Sequence, residues 1–221
     1  MKKSTLIIVA VVALLLAFVI GTLLHNTKKE ESVTRLPAVD RAALIRMHSP
    51  SLGKIDAPVV IVEFFDPACE TCRAFYPLVK EIMATDPDRI RLVLRYTPFH
   101  KGSDQVVAVL EAARKQGKFW PALEALLGAQ AEWTQHHTAN VDLVWKHLEG
   151  LGLDLEKVRT DMRAPEIAKL IAQDVEDAKT LGVDKTPGFF VNGKPLVDFG
   201  IKQLKKLTED ALHEVTRHAL K

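Results

Sequence analysis

The stretch from residue 58 to residue 96 combines a buried-strand pattern with an abrupt change of periodicity. Residues 58–65 (PVVIVEFF) form a nearly continuous apolar run of β-branched and aromatic residues, which is typical of a central strand. Asp-Pro-Ala at 66–68 breaks the run, and a helical pattern then extends from residue 69 to about 85. Residues 89–96 alternate polar and apolar side chains and predict a second strand. We therefore expect a strand–helix–strand unit with parallel strands and a right-handed crossover.

The rest of the chain extends this unit in a definite order. Residues 102–181 have a mostly helical pattern, and two short predicted strands follow at 189–191 and 195–197. Asn192-Gly193 between these strands is a strong hairpin signal. An amphipathic helix is predicted at 201–218. The order β-α-β, helical block, β-β-α predicts an α/β thioredoxin-like fold with a helical insertion at about 102–181, in a domain spanning 55–221.

A long apolar segment precedes this domain. Residues 6–24 carry no charge, and 19 helical residues at about 1.5 Å each nearly span a hydrocarbon core of about 30 Å. Two lysines precede the segment, whereas two glutamates offset the lysines that follow it. The positive-inside rule therefore places residues 1–5 in the cytoplasm and the domain outside. We predict a single-pass signal anchor in a bacterial inner membrane with the domain in the periplasm; the alternative is a cleaved signal peptide and a soluble periplasmic protein.

Residues 25–54 between the anchor and the domain are rich in polar and charged side chains. They predict a linker with one helical stretch at 39–47, and a dimerising segment is the alternative. The formal net charge is only +2, and no dense basic block follows the first residues. Nucleic acid is therefore not an expected partner, because phosphate binding requires a basic stripe.

The chain has two cysteines, Cys69 and Cys72. A structural zinc site or a disulfide-stabilised scaffold would need more ligands or more cysteines. At positions i and i+3 of a helix start the pair is close enough to form a disulfide, and the N–H groups there favour a thiolate. We interpret Cys69 as the attacking nucleophile and Cys72 as the resolving cysteine of a redox-active disulfide that needs no cofactor.

Two further positions are candidates for the same site. Thr186-Pro187 precedes a predicted strand. Pro187 is either an ordinary turn residue or part of a cis bond that exposes the carbonyl and amide of Thr186 to an extended substrate. Glu63 interrupts the apolar strand. It either faces water or is a buried carboxylate that accepts or relays the proton of Cys72.

Three segments, residues 63–72, 117–120 and 186–194, together resemble the DsbA-like family of thiol–disulfide oxidoreductases. The resemblance covers about residue 55 to the C-terminus. It implies a nucleophile at Cys69, a resolving Cys72, a cis Pro187 and a buried acid at Glu63. It also implies work in the bacterial cell envelope, where oxidases of this family pass electrons to a quinone-linked membrane protein.

The dipeptide between the cysteines departs from the family pattern. Strongly oxidising members typically have Pro-His there, whereas this chain has Glu70-Thr71. A carboxylate beside the nucleophile is expected to disfavour the thiolate relative to a histidine in the dipeptide, which raises the pKa of Cys69 and makes the pair less oxidising. The leading hypothesis is an oxidase that exchanges disulfides with exported, cysteine-containing proteins. The alternative is a reductase or isomerase of the same fold, with a membrane reductant as its partner.

A hypothesis from another class is a non-catalytic module that binds copper or zinc through Cys69 and Cys72. His100, His136 and His137 are conceivable extra ligands. Their spacing does not place them near the cysteines, so we predict surface histidines and no metal.

Overall fold

A computed structural model describes residues 43–219. The predicted anchor at residues 6–24 lies outside the described residues. Within 43–219 no helix is long and apolar enough to cross a membrane.

A five-stranded sheet with the order β1-β3-β2-β6-β7 forms the centre of the domain. The central strands β2 (Val59–Phe65) and β3 (Ile90–Tyr96) are parallel, which confirms the predicted strand–helix–strand unit. β6 (Gly188–Val191) pairs antiparallel with β2, and β7 (Lys194–Pro195) pairs antiparallel with β6. β1 (Ser51–Leu52) closes the other edge, antiparallel to β3.

Two helices of the core pack on each other and on the sheet. α1 (Glu70–Ala84) connects β2 to β3, and α7 (Ile201–Ala219) ends the described chain. Both contact the sheet, α1 at β3 and α7 at β2 and β6. The predicted hairpin also forms, because Asn192 and Gly193 adopt the left-handed φ angles of 47° and 84° that a tight two-residue turn requires.

The insertion between β3 and β6 is mostly helical. Its helices are α2 (Ser103–Lys115), α3 (Phe119–Gly128), α4 (Gln130–Trp133), α5 (Leu155–Asp161) and α6 (Pro165–Thr180). It also contains a small hairpin that the sequence analysis did not predict, formed by β4 (Thr134–Gln135) and β5 (Thr138–Ala139). The turn between these strands places His136 and His137 at φ angles of 48° and 59°. Neither residue is the asparagine or glycine that normally signals such a turn.

The boundary predicted between linker and domain needs correction. Ala43 and Leu44 are buried, and β1 at Ser51–Leu52 pairs with β3, so the described part of the predicted linker, residues 43–54, is folded onto the domain. The helical stretch predicted to continue to residue 47 ends at Leu44. The strand predicted at 195–197 is shorter than expected, because Val197 lies outside the sheet and is exposed.

A buried ion cluster joins this early segment to the rest of the domain. The guanidinium of Arg95 on β3 is fully buried and pairs with Asp174 and Asp177 of α6, at 2.7 and 2.5 Å. Arg46 pairs with Asp177 at 2.6 Å, and His48 contacts Asp174 at 2.6 Å. The cluster explains why a polar segment is held on the domain, since each buried carboxylate has a cationic or hydrogen-bonding partner.

Candidate redox-active site

Cys69 lies at the N-cap of α1, where the free N–H groups of the first turn meet its sulfur. Its Sγ accepts a hydrogen bond from the backbone N–H of Cys72 at 3.4 Å. The thiol donates to the carbonyl oxygen of Thr186, also at 3.4 Å. Both cysteines are buried, and both are present as free thiols. Cys69 is therefore held between a helix N-terminus and the loop that precedes β6.

Hydrogen bonds to the Cys69 sulfur lower its pKa from the ordinary 9.0 to about 5. The largest contribution is a hydrogen bond with the Cys72 side chain; the Thr186 side chain and the backbone of Cys72 and Thr71 contribute further hydrogen bonds, and together they outweigh burial. Cys69 is then largely a thiolate at neutral pH, the form that attacks disulfides. The effect expected of the Glu70 carboxylate, relative to a Pro-His dipeptide, stays a prediction.

Cys72 has the opposite character. Burial raises its pKa well above 9.0, and the hydrogen bond with Cys69 and the negative charge of Glu63 act in the same direction. A backbone interaction with Asp66 opposes the rise. The pair therefore combines one sulfur that loses its proton readily with one that keeps it.

Glu63 is fully buried on β2 and does not face water. Leu94 and Phe189 are its partners on the neighbouring strands. Neither carboxyl oxygen has a hydrogen-bond partner among the described residues. Burial raises the pKa of Glu63 well above 4.5, and the charge of Cys69 raises it further. A buried acid with a raised pKa beside a thiol that must lose a proton is suited to proton transfer.

The loop before β6 presents Thr186 to the nucleophile. The Thr186–Pro187 peptide bond is cis, as the family resemblance implies, and Pro187 is buried. Thr186 is partly exposed, and its carbonyl oxygen is the one that Cys69 contacts. The structure thus brings together Glu63, Cys69, Cys72 and the 186–187 loop, and Glu70 and Thr71 lie exposed between the cysteines.

Two buried polar residues of the site were missed by the sequence analysis. Gln130, at the start of α4, donates its side-chain amide to the carbonyls of Pro67 and Cys69, at 2.7 and 3.0 Å. Asp66 accepts the N–H of Cys69 on its backbone carbonyl at 3.0 Å. The sequence offers no signal for Gln130, which resembles any polar residue of the helical block. Asp66 was recognised only as part of the break after the strand.

The histidines considered as metal ligands have other contacts. His100 Nδ1 lies 2.7 Å from a carboxylate oxygen of Asp66, and the His100 ring stacks on His137 with centroids 5.5 Å apart. His136 is exposed in the β4–β5 turn. Between residues 43 and 219 no group of three or more His, Cys, Asp or Glu side chains is arranged to hold a metal ion.

An aromatic cluster lies one helical turn beyond Cys72. The ring of Phe75 is 4.7 Å from that of Phe199 and 5.8 Å from that of Phe189. Phe189 is buried, whereas Phe199 and Val197 are 43% and 53% exposed. The chain segments that carry the redox pair and the 186–187 loop therefore continue into a partly exposed apolar surface.

Known proteins are similar to this chain in sequence and in fold. A thioredoxin-like oxidoreductase from Silicibacter pomeroyi DSS-3 is 34% identical and superposes with a TM-score of 0.68 over 80% of this chain and 98% of that one. The thiol–disulfide exchange protein alpha-DsbA2 from Wolbachia pipientis is 18% identical, with a TM-score of 0.64 over 80% of this chain and 99% of that one. At that identity the likeness shows the fold alone.

Among curated proteins, the Na(+)/H(+) antiporter NhaA 3 from Salinispora tropica is 36% identical over 145 residues, which is 64% of this chain. This chain spans only about a fifth (21%) of that relative's length. The family model described as thioredoxin matches residues 46–210, which include both cysteines, Glu63 and the 186–187 loop. The match covers most of the chain and agrees with the observed sheet order, so the chain belongs to the thioredoxin family.

Proposed function

We propose that this protein exchanges disulfides with exported proteins through Cys69 and Cys72, and that it acts as an oxidase. One observation carries the proposal. Cys69 has a pKa of about 5 at the N-terminus of α1, while the pKa of Cys72 is raised well above 9.0. A reactive thiolate beside a protonated partner is what two-step exchange requires.

The chemistry is reversible, and its steps can be written from the reduced form. The Cys69 thiolate attacks one sulfur of a substrate disulfide; the new S–S bond replaces the old one, and the second substrate sulfur leaves as a thiolate that takes up a proton. Cys72 then transfers its proton to a carboxylate at Glu63 and attacks Cys69 Sγ. The protein disulfide forms, and the first substrate sulfur leaves as a thiolate. An oxidase runs these steps in reverse and passes its disulfide to the substrate.

The low pKa of Cys69 supports the oxidising direction. At pH 7 a pKa of about 5 stabilises the reduced form over an ordinary thiol by about 3 kcal/mol. For a two-electron couple this raises the reduction potential by ~60 mV. The alternative is a reductase or isomerase, because the carboxylate of Glu70 beside the nucleophile would oppose this stabilisation.

Substrates and partners follow from the same surface. Thr186 can pair with an extended cysteine-containing segment, and Phe199 and Val197 provide exposed apolar surface for its neighbouring side chains.

An oxidising compartment is where a disulfide donor works. We place the domain on the periplasmic side of a bacterial inner membrane, attached through residues 6–24 or released by cleavage. A quinone-linked membrane protein would reoxidise it, and a membrane reductant would serve the alternative role.

Trapping experiments test the proposal. We expect Cys69→Ser to abolish oxidation of a reduced model peptide, because the protein can no longer form the Cys69–Cys72 disulfide that it donates. Cys72→Ser is expected to accumulate mixed disulfides with disulfide-containing substrates, because the Cys69 thiolate attacks them and the resolving sulfur is missing. The double variant Cys69→Ser/Cys72→Ser is the matched control and is expected to trap nothing. Turnover by Cys69→Ser, or mixed disulfides with the double variant, would contradict the assignment.

A further inference from the structure

The carboxylate of Asp66 is fully buried at the end of β2, three residues before Cys69. Four hydrogen-bond donors contact it. One oxygen accepts the N–H of Ala68 at 2.8 Å and the hydroxyl of Ser103. The other accepts the N–H of His100 at 2.9 Å and contacts His100 Nδ1 at 2.7 Å.

Each carboxylate oxygen thus accepts a backbone N–H and has a second polar contact, one with the Ser103 hydroxyl and the other with His100 Nδ1. Among the described residues His100 is the only basic side chain within 4 Å of the Asp66 carboxylate. No lysine or arginine there neutralises the buried charge. A buried carboxylate without such a cation depends on its hydrogen bonds, so each of these donors fixes its position.

The same residue also contacts the redox pair through its backbone. The carbonyl of Asp66 accepts the N–H of Cys69 at 3.0 Å, and a backbone interaction with Asp66 lowers the pKa of Cys72. Residues 66–69 are thus one compact turn, with the carboxylate inside it and the nucleophile at its end. A shift of the carboxylate would move the N-cap geometry that places Cys69 Sγ beside the N–H of Cys72.

The donors come from a second loop. β2 and β3 are parallel neighbours whose last residues, Phe65 and Tyr96, lie opposite each other. The segment that follows β3 carries His100, and Ser103 begins α2. The carboxylate therefore connects the loop that carries the nucleophile to the loop at the end of the adjacent strand. His100 is its partly exposed donor, with 19% side-chain exposure.

We propose that Asp66 and His100 are positioning residues for the redox pair, and that the hydrogen bond from His100 Nδ1 to the Asp66 carboxylate sets the reactivity of Cys69. The inference rests on the proposed function of the pair. Asp66 and His100 take no part in the exchange itself, but they determine how well the turn before α1 stabilises the Cys69 thiolate.

The test measures the Cys69 thiolate directly in the purified, reduced full-length protein, by its ultraviolet absorption during a pH titration. Cys69→Ser supplies the baseline. His100→Ala removes the donor, whereas His100→Asn keeps one, because the asparagine amide can replace Nδ1. Tyr96→Phe is the matched control, because it removes a buried 2.6 Å hydrogen bond that goes to Glu111 and not to the Asp66 carboxylate.

We expect His100→Ala to reduce the thiolate-to-thiol ratio at a given pH about five-fold, the effect of losing roughly one hydrogen bond. His100→Asn should restore most of it, and Tyr96→Phe should leave it unchanged. An unchanged titration in His100→Ala, or an equal shift in Tyr96→Phe, would overturn the proposal. If His100→Ala does not fold, Ser103→Ala removes another donor to the same carboxylate; it should shift the titration in the same direction, and no shift would overturn the proposal.

The readout also separates this inference from the proposed function. The thiolate titration requires no substrate. A shift in His100→Ala together with absent peptide oxidation by the unmodified protein would support the positioning role and contradict the oxidase. Peptide oxidation by the unmodified protein together with an unshifted titration in His100→Ala would support the oxidase and contradict the positioning role.

Discussion

At the scale of single residues, Glu63 makes the clearest pH-dependent prediction. Its carboxyl is buried without a hydrogen-bond partner among the described residues, and its pKa is raised well above 4.5. The folded state therefore holds this proton more tightly than the unfolded chain does. The contribution of Glu63 to the free energy of unfolding is therefore largest below about pH 4.5 and is lost as the pH rises through the raised pKa.

We expect Glu63→Gln to remove this fall, because the amide does not titrate. Urea unfolding of the reduced protein at several pH values measures it. The lowered pKa of Cys69 acts in the opposite direction, since the stability that it contributes is lost as the pH falls from 9.0 to about 5. Glu63→Gln is therefore best compared in a Cys69→Ser background. Parallel stability curves with and without Glu63 would contradict the buried, raised-pKa carboxyl.

Residues that interrupt a local pattern were recognisable from the sequence. Cys69 and Cys72 are the only cysteines, Glu63 is a charge inside an apolar strand, and Pro187 precedes a strand. Asp66 and His100 were not recognised as a pair, because the fold brings them together across 34 positions of sequence. No local pattern records a contact of that kind.

At the scale of elements, α4 connects the insertion to the redox site. The Gln130 amide donates to the carbonyls of Pro67 and Cys69, both inside the turn before α1. Because these contacts are buried, Gln130→Ala leaves the carbonyl of Pro67 without this donor, whereas the carbonyl of Cys69 keeps the N–H of Arg73 at 3.1 Å. We expect a loss of about 1–3 kcal/mol in the free energy of unfolding and slower peptide oxidation.

Chemical denaturation and the oxidation assay together measure this effect. Gln173→Ala is the matched control, because it removes a partly buried amide contact with Asp177 far along the chain from the cysteines. The control is expected to leave oxidation unchanged. If Gln130→Ala oxidised the peptide as fast as the control, the contact between α4 and the turn would not affect the redox site.

The elements differed in how well the sequence predicted them. β2, α1, β3 and α7 have strong periodicity, and the structure places each within a residue or two of its predicted bounds. The β4–β5 hairpin was missed because its turn is formed by His136 and His137 in left-handed conformations. Histidine enters the left-handed region more often than most residues, but a His-His pair is a weaker turn signal than Asn-Gly.

At the scale of the whole domain, the Arg95 cluster holds three separate parts of the chain together. It joins β3, α6 and the segment that contains Arg46. Arg95→Met would leave the carboxylates of Asp174 and Asp177 buried without their central cation. We expect a loss of about 3–5 kcal/mol in the free energy of unfolding, the usual result of removing one partner from a buried ion pair.

Arg89→Met is the matched control. Arg89 directly precedes β3, the strand that carries Arg95, but it forms a partly exposed ion pair with Asp86. Its loss is expected to be at most about 1 kcal/mol. Equal effects of the two substitutions in urea unfolding would show that the Arg95 cluster contributes no more than a surface pair.

The cluster also explains why the domain boundary was predicted too late in the chain. Residues 43–54 are polar enough to resemble a linker, but Arg46 and His48 bind buried carboxylates on α6. Their partners lie more than a hundred positions away in sequence. The order of elements was sufficient to predict the thioredoxin fold, whereas these pairings depend on the finished tertiary structure.

The reduction potential of the Cys69–Cys72 pair tests the central claim most directly. Equilibration of the full-length protein with glutathione buffers, followed by quantification of the reduced and oxidised forms, measures it. The low pKa of Cys69 predicts one reversible two-electron transition at a potential more oxidising than ~−230 mV, towards the ~−120 mV of a strong disulfide donor. A potential at or below ~−270 mV, or no exchange with glutathione, would contradict the proposal that this pair donates disulfides.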